Sequence, residues 1–248
     1  MRRTVEVAPD RGALMEAGAA AFVAAARAAI GAHGRFIAAL SGGSTPRALF
    51  ELLSTERLAS SIDWSRMHVC FGDERAVPPD AEASNYRMAR EALLNHVPIP
   101  AAQVHRIRGE DPPQVAAEAY ERTLRTLFAT PAGPPGACFD LVLLGMGDNG
   151  HTASLFPGLH AVREAERWVV AESVAEVGMW RITLTPVVLN AAAEVVFLVG
   201  GADKAAMLHR VLDGPVDPDA LPAQIVAPHH GRLRWLVDAE AAARLEDR

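Results

Sequence analysis

The sequence predicts an α/β fold in which an open, mostly parallel sheet carries helices on both faces. Short apolar runs of strand length, such as residues 139–144, alternate along the chain with helical patterns. Continuous apolar runs are typical of strands that are buried on both sides in a parallel sheet. We therefore expect right-handed connections between neighbouring strands.

The elements can be placed in order from these patterns. The predicted strands are residues 36–40, 67–71, 104–107, 139–144, 168–171, 182–184, 194–199 and 233–237. The predicted helices are residues 13–30, 46–53, 84–95, 112–128 and 203–212, followed by a short terminal helix. Gly31 and Gly34 are expected to end the first helix, and Ser84 to cap the third.

The second helix follows a glycine-rich turn, residues 41–46, which read Ser-Gly-Gly-Ser-Thr-Pro. Two glycines permit a sharp turn, Ser44 or Thr45 can cap the helix, and Pro46 suits its first position. No low-complexity linker or fixed repeat divides the chain, and the proline-rich loop at 213–222 is too short to separate domains. One domain spanning residues 1–248 is expected.

Length and charge limit the function. The chain has 248 residues, half of them hydrophobic, and a formal net charge of −6, so a sizeable core is possible. The acidic balance argues against nucleic-acid and acidic-membrane partners, whereas a small anionic substrate needs only a few local cations. A cytoplasmic protein is expected, because the first residues lack a signal-peptide pattern and no apolar run approaches a bilayer span.

Neither the cysteines nor the paired histidines indicate a metal site. Cys70 and Cys138 lie beside apolar runs without metal-like spacing, which predicts reduced and mostly buried thiols. His229 and His230 follow Pro228 without a third ligand nearby, which predicts a surface loop.

Residues 145–150, Gly-Met-Gly-Asp-Asn-Gly, have the G-x-G-x-x-G spacing of a dinucleotide-binding turn. That site needs the last glycine to open a long helix whose N-terminus holds the pyrophosphate. Pro157 and Gly158 follow too soon for such a helix. We expect a Rossmann-like sheet in which this turn carries His151 to the sheet edge, without a dinucleotide.

Polar residues gather after four predicted strands, at 41–45, 73–75, 148–151 and 200–204, and Arg181 begins another strand. In open α/β sheets, ligands bind beyond the carboxyl ends of the strands, where the strand order reverses. A glycine-rich helix start, hydroxyls, arginines and a lysine suit a phosphate group. Each feature alone has an ordinary structural explanation, but together they predict a phosphorylated small molecule as ligand.

Several motifs occur in an order that identifies a family. They are residues 41–46 (Ser-Gly-Gly-Ser-Thr-Pro), 72–75 (Gly-Asp-Glu-Arg), 84–86 (Ser-Asn-Tyr), 145–147 (Gly-Met-Gly), 150–157 (Gly-His-Thr-Ala-Ser-Leu-Phe-Pro), 181–185 (Arg-Ile-Thr-Leu-Thr), Lys204 and 221–224 (Leu-Pro-Ala-Gln). The chain resembles the 6-phosphogluconolactonases over nearly its whole length. The resemblance implies hydrolysis of 6-phosphoglucono-1,5-lactone in the oxidative pentose phosphate pathway, without a metal or organic cofactor.

By position, the resemblance implies that His151 is the general base that deprotonates the attacking water and later returns a proton to the ring oxygen. An imidazole suits this task because its ordinary pKa is about 6.5. Arg75 or N–H groups of the glycine turns would stabilise the oxyanion, and Asp73 and Asn149 complete the catalytic set. The implied phosphate-binding residues are Gly42, Gly43, Ser44, Thr45, Arg181 and Lys204. The lactone is the only partner implied, and a monomer is expected, with a homodimer as the alternative.

Asn149 departs from the family pattern, which has an aspartate immediately before the Gly-His pair. The nearest aspartate, Asp148, stands one residue earlier. An amide can orient His151 but cannot supply the charge that raises a histidine pKa. We expect orientation to matter more than charge, so that activity persists.

Three other functions fit the sequence less well. Glucosamine-6-phosphate deaminases resemble the chain in fold, but they carry a glutamate five residues after the histidine and a tyrosine after the Asp-Glu pair, where this chain has Phe156 and Arg75. A non-catalytic sugar-phosphate binding protein would not need His151. A serine hydrolase with Ser154 as nucleophile is least favoured, because no G-x-S-x-G elbow is present.

Overall fold

The computed structural model describes residues 3–129 and 139–246. The strands are β1 (Arg3–Ala8), β2 (Phe36–Leu40), β3 (Met67–Phe71), β4 (Asp73–Arg75), β5 (Leu141–Leu144), β6 (Val169–Val174), β7 (Met179–Leu184), β8 (Glu194–Val199) and β9 (Arg232–Asp238). The helices are α1 (Arg11–His33), α2 (Ser44–Leu53), α3 (Glu56–Ala59), α4 (Asn85–Ala89), α5 (Pro113–Ala129), α6 (Pro186–Leu189) and α7 (Ala205–Leu212).

Six parallel strands form the main sheet in the order β1-β9-β8-β5-β2-β3. Every residue of β2, β5 and β8 is buried. Successive strand residues point to opposite faces, so both faces of the sheet are covered. The predicted α/β fold with an open, mostly parallel sheet is confirmed.

The strand order reverses between β2 and β5. From β2 the chain goes on to β3 on one side, whereas β5 and all later strands of this sheet lie on the other side. β2 and β5 are hydrogen-bonded neighbours, with Ala38 opposite Leu141. The turns at residues 41–43 and 145–151 therefore leave the sheet at the point where such folds bind ligands.

A smaller antiparallel sheet, in the order β4-β7-β6, adjoins the main sheet. Gly72 connects the two: its N–H donates to the carbonyl of Leu40 at 2.8 Å, and its carbonyl accepts from the N–H of Leu184 at 2.9 Å. Because Gly72 alone separates β3 from β4, Asp73 and Arg75 are held on a strand beside the end of β2. Buried residues of both sheets belong to one hydrophobic cluster, which supports the expected single domain, although that expectation stays a prediction.

α1 crosses one face of the fold and contacts β1, β2 and β9. Asp10 caps its start by accepting from the Ala13 N–H at 2.8 Å, and Gly34, with φ of 84°, ends it. Contrary to the sequence prediction, Gly31 lies inside the helix and does not end it. Contrary to expectation, α1 is long and apolar enough to cross a membrane by length and composition alone, but 56% of that window is buried within the protein.

Other local predictions also differ from the structure. The sequence pattern does not reveal β1, because this edge strand is largely exposed and carries polar residues. Residues 104–107 form one bridge, from Val104 to Val69, rather than a strand. Residues 239–244 form turns instead of a terminal helix, since so short a helix has too few hydrogen bonds to offset its nucleation.

Two predictions concern the cysteines and a cap. Cys70 is a free, buried thiol in β3, and burial raises its pKa to about 12. Cys138 lies outside the described residues. Ser84 caps α4 as predicted, because its Oγ accepts from the Arg87 N–H at 3.1 Å.

Candidate active site

A cleft with two lobes opens at the carboxyl ends of β2 and β5. The first, here called the reaction lobe, has a volume of about 200 Å³, and its lining includes Ser41, Asp73, Arg75, Asn85, Gly147 and His151. The second, here called the helix lobe, has a volume of about 150 Å³, and its lining includes Ser44, Thr45, Gly200 and Lys204. Both lobes share Gly42, Gly43, Gly145 and Met146, so they are neighbouring parts of one cleft.

The structure brings most of the predicted site residues together. Eight of them line one lobe or the other: Gly42, Gly43, Ser44, Thr45, Asp73, Arg75, His151 and Lys204. Asn149 and Arg181 do not line either lobe, but each lies beside a residue that does. The clustering of strand-end residues expected from the sequence is therefore observed, whereas their chemical roles remain predictions.

The hydrogen bonds of His151 define its neutral tautomer. Its Nδ1 lies 2.6 Å from Asn149 Oδ1, and the same Oδ1 lies 3.1 Å from the backbone nitrogen of His151. A backbone N–H can only donate, so this amide atom is the oxygen. The oxygen also needs a proton on Nδ1, which leaves a lone pair on Nε2. In its neutral form, His151 therefore has one ring nitrogen free to accept a proton.

Close packing holds the imidazole in place. The Phe156 ring stacks on it, with centroids 4.1 Å apart and planes 17° from parallel. A Cβ atom at Gly147 would lie 2.0 Å from His151 Cε1, so only glycine leaves room for the ring. Burial lowers the pKa of His151, and the positive charge of Arg181 also lowers it, against an opposing effect of Asp73. These influences favour the neutral, proton-accepting imidazole at neutral pH.

The turn before His151 is tight, as predicted, and does not open a long helix. Gly147 and His151 are joined by a backbone hydrogen bond of 2.9 Å from the Gly147 N–H to the His151 carbonyl, and Gly150 has φ of 81°. Thr152 and Leu155 then form an isolated bridge. The G-x-G-x-x-G spacing thus belongs to a turn that presents a side chain, since no helix N-terminus follows it to hold a pyrophosphate.

Asp73 is buried and held from two sides. Its Oδ2 accepts from Ser154 Oγ at 2.6 Å, and its Oδ1 accepts from Asn85 Nδ2 at 3.2 Å. A Cβ atom at position 42 would lie 1.9 Å from Asn85 Oδ1, so only glycine there leaves room for the Asn85 amide. Ser154 is 1% exposed and donates its hydroxyl to Asp73, so its environment is not that of an accessible nucleophile.

Arg75 and Arg181 lie directly opposite each other on β4 and β7. Arg75 Nη1 donates to the Ala83 carbonyl at 2.6 Å, and the Nε atoms of both arginines are buried without a hydrogen-bond partner. Burial lowers the pKa of Arg181, and the charge of Arg75 lowers it further. Two adjacent cations with unused N–H groups favour an anionic ligand. Arg181 does not line the helix lobe, so its predicted contact with phosphate stays a prediction.

The helix lobe contains the start of α2. Neither Ser44 nor Thr45 caps this helix, contrary to expectation: Gly43 occupies the cap position with φ of 104°, without a side-chain bond. The helix begins at Ser44, so Pro46 is its third residue and not its first. The first N–H groups of a helix have no partner within it, and here no side chain of the cap residue satisfies them. The helix start is thus suited to an anion.

Lys204 supplies a cation to the helix lobe. Its Nζ contacts Asp148 and lies 3.7 Å from Asp203, and its side chain is 21% exposed. The bond to Lys204 lowers the pKa of Asp148. Asp148 thus binds Lys204, whereas Asn149 makes the hydrogen bond to the imidazole of His151. An anion in this lobe would compete with Asp148 for the ammonium group.

Sequence reasoning missed three residues of the site. Ser41 is buried with an unpartnered Oγ and lines the reaction lobe, and Asn85 holds Asp73. Both lie within recognisable motifs, which could have indicated them. Glu176 contacts Asn149 from the turn between β6 and β7, and no local pattern marks it. Within residues 3–129 and 139–246, no group of three or more His, Cys, Asp or Glu side chains is arranged to hold a metal, and His229 and His230 are exposed.

The fold and the cleft together define an α/β protein with a histidine and an uncapped helix start at the switch point of its sheet. Residues 9–235 match the family model described as glucosamine-6-phosphate isomerases/6-phosphogluconolactonase. The chain belongs to this family, and the resemblance drawn from the motifs is confirmed.

Comparison with individual proteins agrees with this assignment. The 6-phosphogluconolactonase of Nostoc sp. is 42% identical over 246 residues, which cover 99% of each chain. The structure of 6-phosphogluconolactonase from Trypanosoma cruzi has a TM-score of 0.85 at 30% identity and covers 99% of this chain and 98% of its own. A monomeric glucosamine-6-phosphate deaminase has a TM-score of 0.81 at 18% identity, covering 97% and 99%, a likeness that shows the fold alone.

Proposed function

We propose that this protein hydrolyses 6-phospho-D-glucono-1,5-lactone to 6-phospho-D-gluconate, with His151 as the general base on water. One observation carries the proposal: a single cleft joins a histidine with a free Nε2 to a helix start with a lysine. The first feature suits a reacting carbonyl and the second suits a phosphate at the other end of the same molecule. Family membership and the named relatives support the same substrate.

The reaction adds water across the ester bond of the lactone. His151 Nε2 takes a proton from water while the water oxygen bonds to the carbonyl carbon. The carbonyl oxygen becomes an oxyanion in the tetrahedral intermediate. When the intermediate collapses, the bond to the ring oxygen breaks, and the imidazolium returns its proton to that oxygen. The products are a carboxyl group and a hydroxyl group on one open chain.

Charge on the carbonyl oxygen must be stabilised by donors that are fixed before the reaction. Arg75 meets this requirement, because its contact with the Ala83 carbonyl fixes the guanidinium while its Nε remains unpaired. Asp73 lies in the same lobe and its negative charge raises the pKa of His151. In our proposal Asp73 stabilises the imidazolium, and Asn149 sets the orientation of the ring.

The phosphate is placed in the helix lobe. The N–H groups at the start of α2, the hydroxyls of Ser44 and Thr45, and the ammonium group of Lys204 supply donors there. Gly42 and Gly43 let the chain approach the ligand closely, and Arg181 adds positive charge from β7. The protein needs no metal or organic cofactor in this scheme, and a monomer in the cytoplasm, acting in the oxidative pentose phosphate pathway, is proposed.

The site favours lactone hydrolysis over the deaminase reaction. Phe156 stacks on His151 at the position where the deaminases carry their glutamate, so an apolar ring replaces that acid–base group. Position 75 holds an arginine in place of a tyrosine. A non-catalytic binding role leaves the free Nε2 of His151 unexplained.

The test compares lactone decay catalysed by the native protein and by His151→Ala. Loss of a general base should lower kcat/KM about 10² to 10⁴-fold. A Lys204→Met variant should mainly raise KM, because it removes a ligand contact distant from the reacting carbon. Decay can be followed by NMR or by a coupled spectrophotometric assay, with the spontaneous rate subtracted. Equal rates for the native protein and His151→Ala would contradict the proposal, and retained ligand binding in that case would indicate a binding protein.

A further inference from the structure

Asn149 has a second partner on the side away from His151. Its Nδ2 donates to Glu176 Oε2 at 3.0 Å, while its Oδ1 lies 2.6 Å from His151 Nδ1. Glu176 lies in the 3-10 turn Ala175–Val177 between β6 and β7, and its side chain is otherwise exposed. The three side chains therefore form one hydrogen-bonded series from the surface to the base.

The order of donors in this series is fixed by chemistry. A carboxylate can only accept, so the NH₂ end of the Asn149 amide must face Glu176. The oxygen end then faces His151 and requires the proton on Nδ1. Glu176 therefore favours the one amide orientation that leaves Nε2 free, and a flipped amide would place two acceptors against each other.

Charged groups face His151 from several elements. Asp73 on β4 and Glu176 raise its pKa, whereas Arg181 on β7 and Lys204 beyond β8 lower it, and burial lowers it most. Asp148, on the same turn as His151, also interacts with the imidazole but is bound to Lys204. Both oxygens of Asp73 are held by Ser154 and Asn85. Glu176 is the carboxylate that lies behind the Nδ1 hydrogen bond.

We propose that Glu176 is a positioning residue for His151, which acts through the neutral Asn149 amide to fix the tautomer and to supply negative charge behind the imidazolium. The proposal rests on the proposed role of His151 as general base. When His151 takes a proton from water, the positive ring is stabilised by the polarised amide and the carboxylate beyond it.

The first test is Glu176→Gln, which keeps the length of the side chain and removes its charge. Without that charge the imidazolium is less stable and the base titrates at lower pH. We expect the acid limb of the pH profile of kcat/KM to move down by about half a pH unit and the plateau to fall about threefold to tenfold, with KM unchanged. Glu176→Ala should lower the plateau further, because the amide also loses its acceptor.

A titration of His151 in the ligand-free protein separates this proposal from the proposed function. The NMR signal of His151 Cε1–H should titrate at lower pH in Glu176→Gln than in the native protein, whether or not the protein turns over lactone. Glu56→Gln, an exposed glutamate on α3, is the matched control and should leave the curve in place. Identical curves for Glu176→Gln and the native protein would overturn the proposal.

A double-variant cycle tests the path through Asn149. Asn149→Asp alone would place two carboxylates about 3 Å apart, where they repel each other. Adding Glu176→Gln to that variant removes the repulsion, so Glu176→Gln should raise kcat/KM in the Asn149→Asp background although it lowers kcat/KM in the native background. Effects of the same sign and size in both backgrounds would show that Glu176 does not act through position 149.

Discussion

At the scale of single residues, the site depends on two glycines whose lack of a Cβ atom leaves room for neighbouring side chains. Gly147 lacks the Cβ that would overlap the imidazole, and Gly42 lacks the one that would overlap Asn85. Neither glycine has a positive φ, so backbone conformation does not explain them. Their small size leaves room for His151 and for the amide that holds Asp73.

Gly147→Ala should therefore lower kcat/KM by about 100-fold or more while the protein remains folded. The added Cβ, 2.0 Å from Cε1, forces the ring away from Asn149 and Phe156, and a misplaced base loses most of its effect. The His151 NMR signals should shift at the same time. Gly145→Ala is the structural control, because its Cβ meets nothing within 4 Å and should leave those signals unchanged. Native kinetics for Gly147→Ala would show that the ring position is not critical.

At the scale of elements, apolar runs predict the central strands, and the glycines at 145–150 predict the turn that carries His151. β4 could not be predicted, because its three residues, Asp-Glu-Arg, become a strand only by pairing with β7 more than a hundred positions later. The same limit applies to Glu176, which meets Asn149 only after the turn between β6 and β7 folds back. Motif order identified the family, whereas the second sheet and its contacts depend on tertiary pairing that no local pattern records.

The end of α1 offers a test with two glycines three positions apart. Gly31→Ala should raise the free energy of unfolding by about 0.5 kcal/mol, because the position is helical and a Cβ meets nothing within 4 Å. Gly34→Ala should lower it by about 1 kcal/mol, because φ there is 84° and alanine is strained in that region although its Cβ has space. Urea unfolding of both variants measures the difference. A stabilising Gly34→Ala would contradict the role of Gly34 in ending the helix.

At the scale of the whole molecule, burial of titratable groups links stability to pH. Burial lowers the pKa of His68, to about 4, and also lowers the pKa of His105 and of His151. His68 Nδ1 lies 3.1 Å from His105 Nε2, so a charge on one ring also opposes a charge on the other. Burial raises the pKa of Glu74 and of Asp140. These two carboxyls therefore take up protons more readily in the folded protein than in the unfolded chain, which stabilises the fold as pH falls.

Below about pH 6.5 the unfolded chain takes up protons on histidines that remain neutral in the folded protein, so the free energy of unfolding falls as pH falls. Protonation of the two buried carboxyls in the folded state offsets part of this loss. We expect a net decrease of about 1 to 2 kcal/mol between pH 7 and pH 5, after allowing for the partial exposure of His68. His68→Gln should make the dependence shallower in that window, whereas His230→Gln, at an exposed position, should not change it. Urea unfolding at pH 7, 6 and 5 measures how the free energy of unfolding changes with pH. If that change is the same in His68→Gln as in the native protein, the histidine pair is not its source.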